Sequence, residues 1–266
     1  MIKIDLRGKI ALITGGTKGI GLASALELGK AGVKCYLTHK WGSADEDELT
    51  QKFIDIGAQP PSFIQADVSV EDDTNTALEI IAADGNIIDI FISNVGFALK
   101  VNELEDYKKR SLYKTLDYSS WPLIDYTVKM KKKFGKYPSR ILAISSDGPD
   151  HYYKGYDFVA ASKALLEFFS KYLAARLLPE GCKVNTIRFG TVKTESFSAI
   201  FGEDFFEYMK NNGLTEDMFL TPEDCGKTVF AFCSGYLDAI NGQIISADFG
   251  YPFKDNSMMK YISSKE

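Results

Sequence analysis

Short apolar runs recur along the chain, each ending at glycine or polar residues and each followed by a longer stretch with helical spacing. Lys9–Thr14 (KIALIT), Val33–Thr38, Pro61–Ala66, Ile88–Ser93, Arg140–Ser145, Cys182–Arg188 and Gly242–Ala247 predict seven strands. Between them, Ile20–Ala31, Asp45–Gly57, Val70–Ala83 and Tyr156–Leu178 predict helices, the last stopped by Pro179 and Gly181. A longer helical stretch covers Asp106–Phe134, interrupted near Trp121-Pro122. Runs that are apolar throughout, not alternating, belong to strands buried on both faces, and strands separated by helices run parallel. With right-handed crossovers this gives a doubly wound, parallel, seven-stranded α/β sheet with helices on both faces. No linker, repeat or low-complexity segment breaks the pattern, so one domain is expected over residues 1–266, with a loosely held polar tail over 254–266.

Composition narrows the function. The net charge is −5 and the pI about 5.3, which argues against binding the phosphate backbone of a nucleic acid. The four cysteines, Cys35, Cys182, Cys225 and Cys233, form no C-x-x-C pair and read as buried free thiols in a reducing compartment. His39 and His151 have no ligand-like spacing, so no metal is expected. The first residues lack the apolar region of a signal peptide, and no apolar stretch approaches the roughly 20 residues needed to span a bilayer. A cytoplasmic protein with no membrane or nucleic-acid partner is the expectation.

The chemistry begins at Thr14–Gly21 (TGGTKGIG), between the first strand and the first helix. Gly15, Gly19 and Gly21 permit a tight turn, and with Thr17, Lys18 and Ile20 they bring backbone N–H groups to a pyrophosphate at a helix N-terminus. Asp67 and Val68, after the third strand, suit an adenine contact. Asn94 and Gly96, after the fourth, suit a backbone passage beneath the adenosine ribose.

The T-G-x-x-x-G-x-G spacing resembles the short-chain dehydrogenase/reductase family, over about residues 7–250. Further similarity lies in Asn94-Val95-Gly96, Ala161–Ala164 (ASKA), Ile187–Thr194 (IRFGTVKT) and Ala247–Gly250 (ADFG), although Phe189 stands where the family has proline. The resemblance implies a Rossmann-type fold, a nicotinamide cofactor held in part by Gly190, Val192 and Thr194, and a homodimer or homotetramer. Charge then selects the cofactor. The second strand ends Leu37-Thr38-His39-Lys40, with no acid before Asp45 to bind the 2′-hydroxyl of NAD. Lys18 and Lys40, with His39 beside them, suit the 2′-phosphate of NADPH; alternatively the two lysines are solvated surface residues.

Family members commonly carry a tyrosine four residues before the active-site lysine. Here that position is Val159, which cannot donate a proton. Tyr156 and Lys163 instead have the six-residue gap seen in the family's enoyl reductases, and lie nearly two helical turns apart. Asp117–Trp121 (DYSSW) and Tyr156–Glu167 (YDFVAASKALLE) resemble the NADPH-dependent branch of those reductases, in which Tyr152 also has a counterpart. Ser146 occupies the position of the family's usual catalytic serine. The resemblance implies that Tyr156 donates a hydrogen bond to the developing oxyanion, that Ser146 or Tyr152 assists, and that Lys163 binds the nicotinamide ribose and lowers the tyrosine pKa.

The leading expectation is therefore an NADPH-dependent reductase of enoyl thioesters, carried by an acyl carrier protein or coenzyme A, in fatty acid or polyketide biosynthesis. A carbonyl reductase of a polyketide-like or other small substrate is the alternative. A dinucleotide-binding sensor without catalysis is a third, kept by Val159. Phe197, Phe201, Phe205, Phe206, Tyr208 and Met209 form either a substrate lid or a helix packed on the core. Lys129–Lys133 (KMKKK) is either a carrier-protein dock or a solvated helix end.

Overall fold

The computed structural model describes residues 4–40, 44–211 and 218–254. The expected tail lies, from residue 255 onward, outside the described residues. Seven strands form one sheet: β1 (Ile10–Thr14), β2 (Lys34–His39), β3 (Ser62–Gln65), β4 (Ile90–Ser93), β5 (Arg140–Ser146), β6 (Lys183–Phe189) and β7 (Ile244–Ala247). Every pairing is parallel, in the order β3-β2-β1-β4-β5-β6-β7. The chain winds outward from β1 to β3 and returns to β4, so the strand order reverses between β1 and β4. That crevice, beyond the carboxyl ends of the strands, is where ligands bind in such folds.

The helices are α1 (Gly19–Lys30), α2 (Glu46–Asp55), α3 (Glu71–Ala83), α4 (Lys109–Ser119), α5 (Trp121–Phe134), α6 (Asp157–Leu177), α7 (Glu195–Phe201), α8 (Phe205–Asn211), α9 (Pro222–Cys233) and α10 (Tyr251–Lys254). Two apolar layers enclose the sheet. On one face Leu78, Leu123, Tyr126, Leu166 and Leu173 pack from α3, α5 and α6. On the other, Leu28, Phe53, Val229 and Phe232 pack from α1, α2 and α9. All four cysteines are buried free thiols.

One expected helix break is found and one helix was missed. The interruption expected near Trp121-Pro122 is present: the stretch divides at Ser120 (φ −119°, ψ −49°) into α4, which starts at Lys109, and α5, which starts afresh at Trp121-Pro122. Proline is tolerated there because first-turn N–H groups have no intrahelical partner. The crossover helix α9 was not expected, although its start is written in the sequence. Thr221 and Asp224 cap it reciprocally, with Pro222 in the first turn. Among the described residues no helix is long and apolar enough to cross a membrane.

Candidate active site

The glycine-rich turn lies at the crevice between β1 and β4. A Cβ on Gly21 would stand 2.3 Å from the Gly15 carbonyl oxygen and 2.7 Å from Asn94 Nδ2, so no side chain fits there. Asn94 fixes the turn from the next strand, donating to the Thr14 and Gly15 carbonyls at 2.9 and 3.1 Å. Helix α1 begins at Lys18 with no side-chain cap and no acid in its first turn. By contrast, α2 is capped by Asp45 and carries three acids in its first turn. The uncapped N-terminus of α1 is thus open to an anion, and the pyrophosphate of a dinucleotide fits it. Thr194, which caps α7 by accepting from Phe197 N at 3.1 Å, reaches over the same turn toward Gly19. Val192 is buried and bridges to Leu220, and Gly190 packs against Asp248.

Acids from other elements reach the cations beyond β2. Asp67 accepts from Lys40 Nζ at 2.6 Å, from the Tyr118 hydroxyl at 2.9 Å and from the Ser69 N–H at 3.0 Å. Lys40 also donates to the Tyr118 hydroxyl and lies over its ring, 4.7 Å from the centroid. Burial pushes the Asp67 carboxyl up, but these donors outweigh it and hold it below the ordinary range. Lys18 is 3.7 Å from Glu195, both exposed, and the His39 ring faces Glu46 at 3.4 Å. The expectation of cations with no competing anion is corrected here. It counted acids along β2, whereas Asp67 arrives from the turn after β3 and Glu195 from the first turn of α7.

At the carboxyl end of β5, Ser146 Oγ and Tyr156 Oη stand 3.1 Å apart. Tyr156 is not inside the helix but is the N-cap of α6. Its ring reaches Ser146 because residue 148 is glycine: a Cβ there would lie 2.7 Å from Tyr156 Cε1. Burial pushes the Tyr156 phenol up, the Ser146 hydrogen bond opposes this, and the Asp147 charge adds to it. Lys163 is buried and donates to the Ile144 carbonyl at 2.7 Å. Burial lowers its pKa from 10.5 to about 8, against the pull of Glu167 one turn along. Gly96 lies beside it, since a Cβ there would be 3.6 Å from Lys163 Nζ. Val159 is buried. Tyr152 does not join the Tyr156–Ser146 pair; it is 83% exposed at the mouth of the cleft.

That cleft, of about 430 Å³, is walled by Tyr107, Tyr152, Tyr153, Tyr156 and Phe158. Phe201 of α7 lies 5.7 Å from the Tyr156 ring and continues into Phe197, Phe205 and Phe206. The basic run is largely committed within the chain. Lys129 is buried against Asp125, Lys131 pairs with Glu180, and Lys133 lies 3.8 Å from Glu79.

A glycine-rich turn where the strand order reverses, a hydroxyl pair at the end of β5 and a buried lysine on α6 are the parts of a short-chain oxidoreductase. A family model described as enoyl-(acyl carrier protein) reductase matches residues 15–252, and the chain belongs to this family of short-chain dehydrogenases/reductases. The chain is 27% identical over 262 residues to hydroxynaphthalene reductase arp2 of Aspergillus fumigatus, covering 91% of this chain and 92% of that one. It is 25% identical over 254 residues to the enoyl-(acyl-carrier-protein) reductase (NADH) FabI of Aquifex aeolicus, covering 92% of each. A short-chain dehydrogenase of Burkholderia cenocepacia, solved in complex with NADP, superposes with a TM-score of 0.80 at 24% identity, covering 93% of this chain and 99% of that one.

Proposed function

We propose that the protein reduces enoyl thioesters, linked to a carrier protein or coenzyme A, with NADPH as hydride source. The observation that carries this reading is the 3.1 Å pair of Tyr156 and Ser146 beside buried Lys163, at the Tyr-x6-Lys spacing. The cofactor would be held by Gly15–Gly21, including Thr17, Lys18, Gly19 and Ile20, and by Asp67, Val68, Asn94, Gly96, Gly190, Val192 and Thr194. His39 and Lys40 would face its 2′-phosphate. When bound, NADPH supplies a hydride to the electron-poor Cβ of the substrate.

The remaining work falls to this chain's side chains. Negative charge develops on the thioester oxygen, and the Tyr156 hydroxyl donates to it. Burial keeps that hydroxyl protonated until the oxyanion forms. Ser146 orients the phenol. Lys163 has three N–H donors and gives one to Ile144, leaving others for the nicotinamide ribose. Its positive charge stabilises the nearby oxyanion. The aromatic wall from Tyr156 to Phe206 excludes water and suits an apolar acyl group. Because Asp67 already holds Lys40, a 2′-phosphate must displace that carboxylate, so NADPH preference rests on exchange of an existing pair.

A second reading, a carbonyl reductase, is favoured by the Ser146 hydroxyl, 3.1 Å from that of Tyr156, with which it would share a ketone oxygen. The outer face of α6, where the tilted rings of Phe168 and Tyr172 lie 4.6 Å apart and remain half exposed, suits the homodimer or homotetramer implied by resemblance. The deciding experiment is NADPH oxidation against enoyl thioesters, β-ketoacyl thioesters and ketones. Turnover of the enoyl substrates supports the proposal, and turnover of ketones alone replaces it with the second reading. NADPH binding without any turnover leaves a dinucleotide sensor.

A further inference from the structure

Behind the Tyr156–Lys163 pair lies a charged cluster to which the roles above give no work. Arg188 of β6 stands in register with Ser145 of β5. Its Nε and Nη2 donate to the two carboxylate oxygens of Glu167 at 2.7 and 2.6 Å. Glu167 is 4% exposed and also accepts from Ser145 Oγ at 2.7 Å. The remaining arm of the guanidinium, Nη1, donates to the Asp150 carboxylate. Asp150 belongs to segment 147–155, the link between β5 and α6 that delivers Tyr156. One side chain therefore joins α6, one turn beyond Lys163, to the segment immediately before the proton donor.

A buried ion pair gains little over apolar packing of equal volume, because desolvating two charges offsets their attraction. Stability is thus a weak reason for this cluster, and geometry a better one. The guanidinium is a rigid planar fork that can engage two carboxylates at fixed angles, which a lysine ammonium cannot do. Around Asp150 the segment is knotted on itself. Tyr153 Oη donates to Asp147 at 2.6 Å, and the N–H groups of Asp150 and His151 donate to the Asp147 carbonyl. The Asp150 carboxylate, through Arg188, ties this knot to the sheet and to α6.

We propose that Arg188 is a positioning residue, which by holding Asp150 and Glu167 together fixes segment 147–155 against α6 and so keeps the Tyr156 hydroxyl at Ser146. The inference rests on the reading of Tyr156 as donor, but its first readout needs no turnover. Amide hydrogen exchange of residues 147–155 is measured in the full chain and in Asp150→Asn, Asp150→Glu and Arg188→Lys. The Asp150 side chain is 61% exposed, so its replacement leaves the fold intact. Asp150→Asn is expected to speed exchange there roughly fivefold, the scale of a partly exposed ion pair, with little change elsewhere, and Arg188→Lys, which also loosens buried Glu167, to speed it at least as much. Initial rates should then show kcat/KM down roughly three- to tenfold, mostly in kcat, with NADPH affinity within twofold. Asp150→Glu, which keeps the charged carboxylate that Asn lacks, should recover most of both effects. Unchanged exchange in Asp150→Asn overturns the proposal, as does faster exchange with unaltered kcat. Equal damage in Asp150→Glu, or exchange rising throughout the chain, overturns it in favour of a merely structural contact. Should wild type turn over no thioester or ketone, the proposed function fails separately, and the exchange data alone decide whether Arg188 holds the segment.

Discussion

Replacing Lys163 with methionine should abolish turnover and at the same time stabilise the folded chain at neutral pH. The side chain is 6% exposed, and burial brings its pKa from 10.5 to about 8. That gap corresponds to about 3 kcal/mol by which the fold prefers the neutral amine over the ammonium. At pH 7 the group is nevertheless mostly protonated, so the fold bears nearly all of this cost. Methionine has similar length and no charge. Its own cost is the lost hydrogen bond to the Ile144 carbonyl, worth about 1–2 kcal/mol. Glu167 is not stranded, because Arg188 and Ser145 still satisfy it. The net gain is about 1–2 kcal/mol, or a rise in Tm of roughly 2–6 °C for a chain of this size.

The pH dependence identifies the cause. A lysine whose folded pKa is depressed costs stability fully below that pKa, and the cost fades as pH rises toward the unfolded value. The advantage of Lys163→Met should therefore be greatest near pH 6–7 and shrink steadily above about 8, where wild-type Lys163 loses its proton. Thermal or urea unfolding of both proteins at several pH values makes the comparison. A methionine variant less stable than wild type at pH 7, or a difference that does not change between pH 7 and 9.5, would refute the reasoning.

Tyr156→Phe removes one hydroxyl and little volume; the rate should drop roughly 100-fold or more while Tm and NADPH affinity hold, whereas Tyr153→Phe, which loses only the hydrogen bond to Asp147, should slow turnover no more than severalfold. Gly148→Ala places a Cβ 2.7 Å from Tyr156 Cε1, so the ring must move off Ser146; steady-state kinetics should show kcat/KM down roughly tenfold or more, with cofactor affinity retained. Lys40→Asp sets a carboxylate beside Asp67 at the 2′-phosphate end and should weaken NADPH far more than NADH in fluorescence titrations, and an equal loss for both cofactors would remove Lys40 from that role.

The sheet was legible because apolar-rich runs, clearest at β1 (IALIT) and β4 (IFIS), are separated by helical patterns. Each of the apolar runs maps onto a strand, and the ends differ most at β4 and β7, which begin later than their runs at Ile88 and Gly242. The glycine turn was legible because a strand, a glycine cluster and a helix follow one another in the chain. What the sequence hid is whatever depends on distance across the fold. Asp67 lies beyond the whole of α2 and β3 from Lys40, yet their side chains meet at 2.6 Å, so a charge argument along β2 alone missed the pair. Gly148 carried no motif, and its role appears only when the Tyr156 ring is in place. The Arg188 fork draws on β6, α6 and a loop, with no local pattern to announce it.

The position of Tyr156 gives these hidden contacts a common reason. A donor one turn inside α6, where Val159 stands, would be fixed by helix on both sides. A donor at the N-cap is fixed by helix on one side and by a loop on the other, and the loop side is the softer. Moving the hydroxyl to that position transfers the burden of alignment from helix geometry to segment 147–155. Gly148 opens the space for the ring, Asp147 gathers Tyr153 and the turn, and Asp150 fastens the turn to Arg188. Alignment matters because a donor displaced by about 1 Å loses much of its effect on the developing charge. The Tyr-x6-Lys spacing therefore implies more than two residues on a helix: it requires a preceding loop that is held as firmly as the helix it replaces.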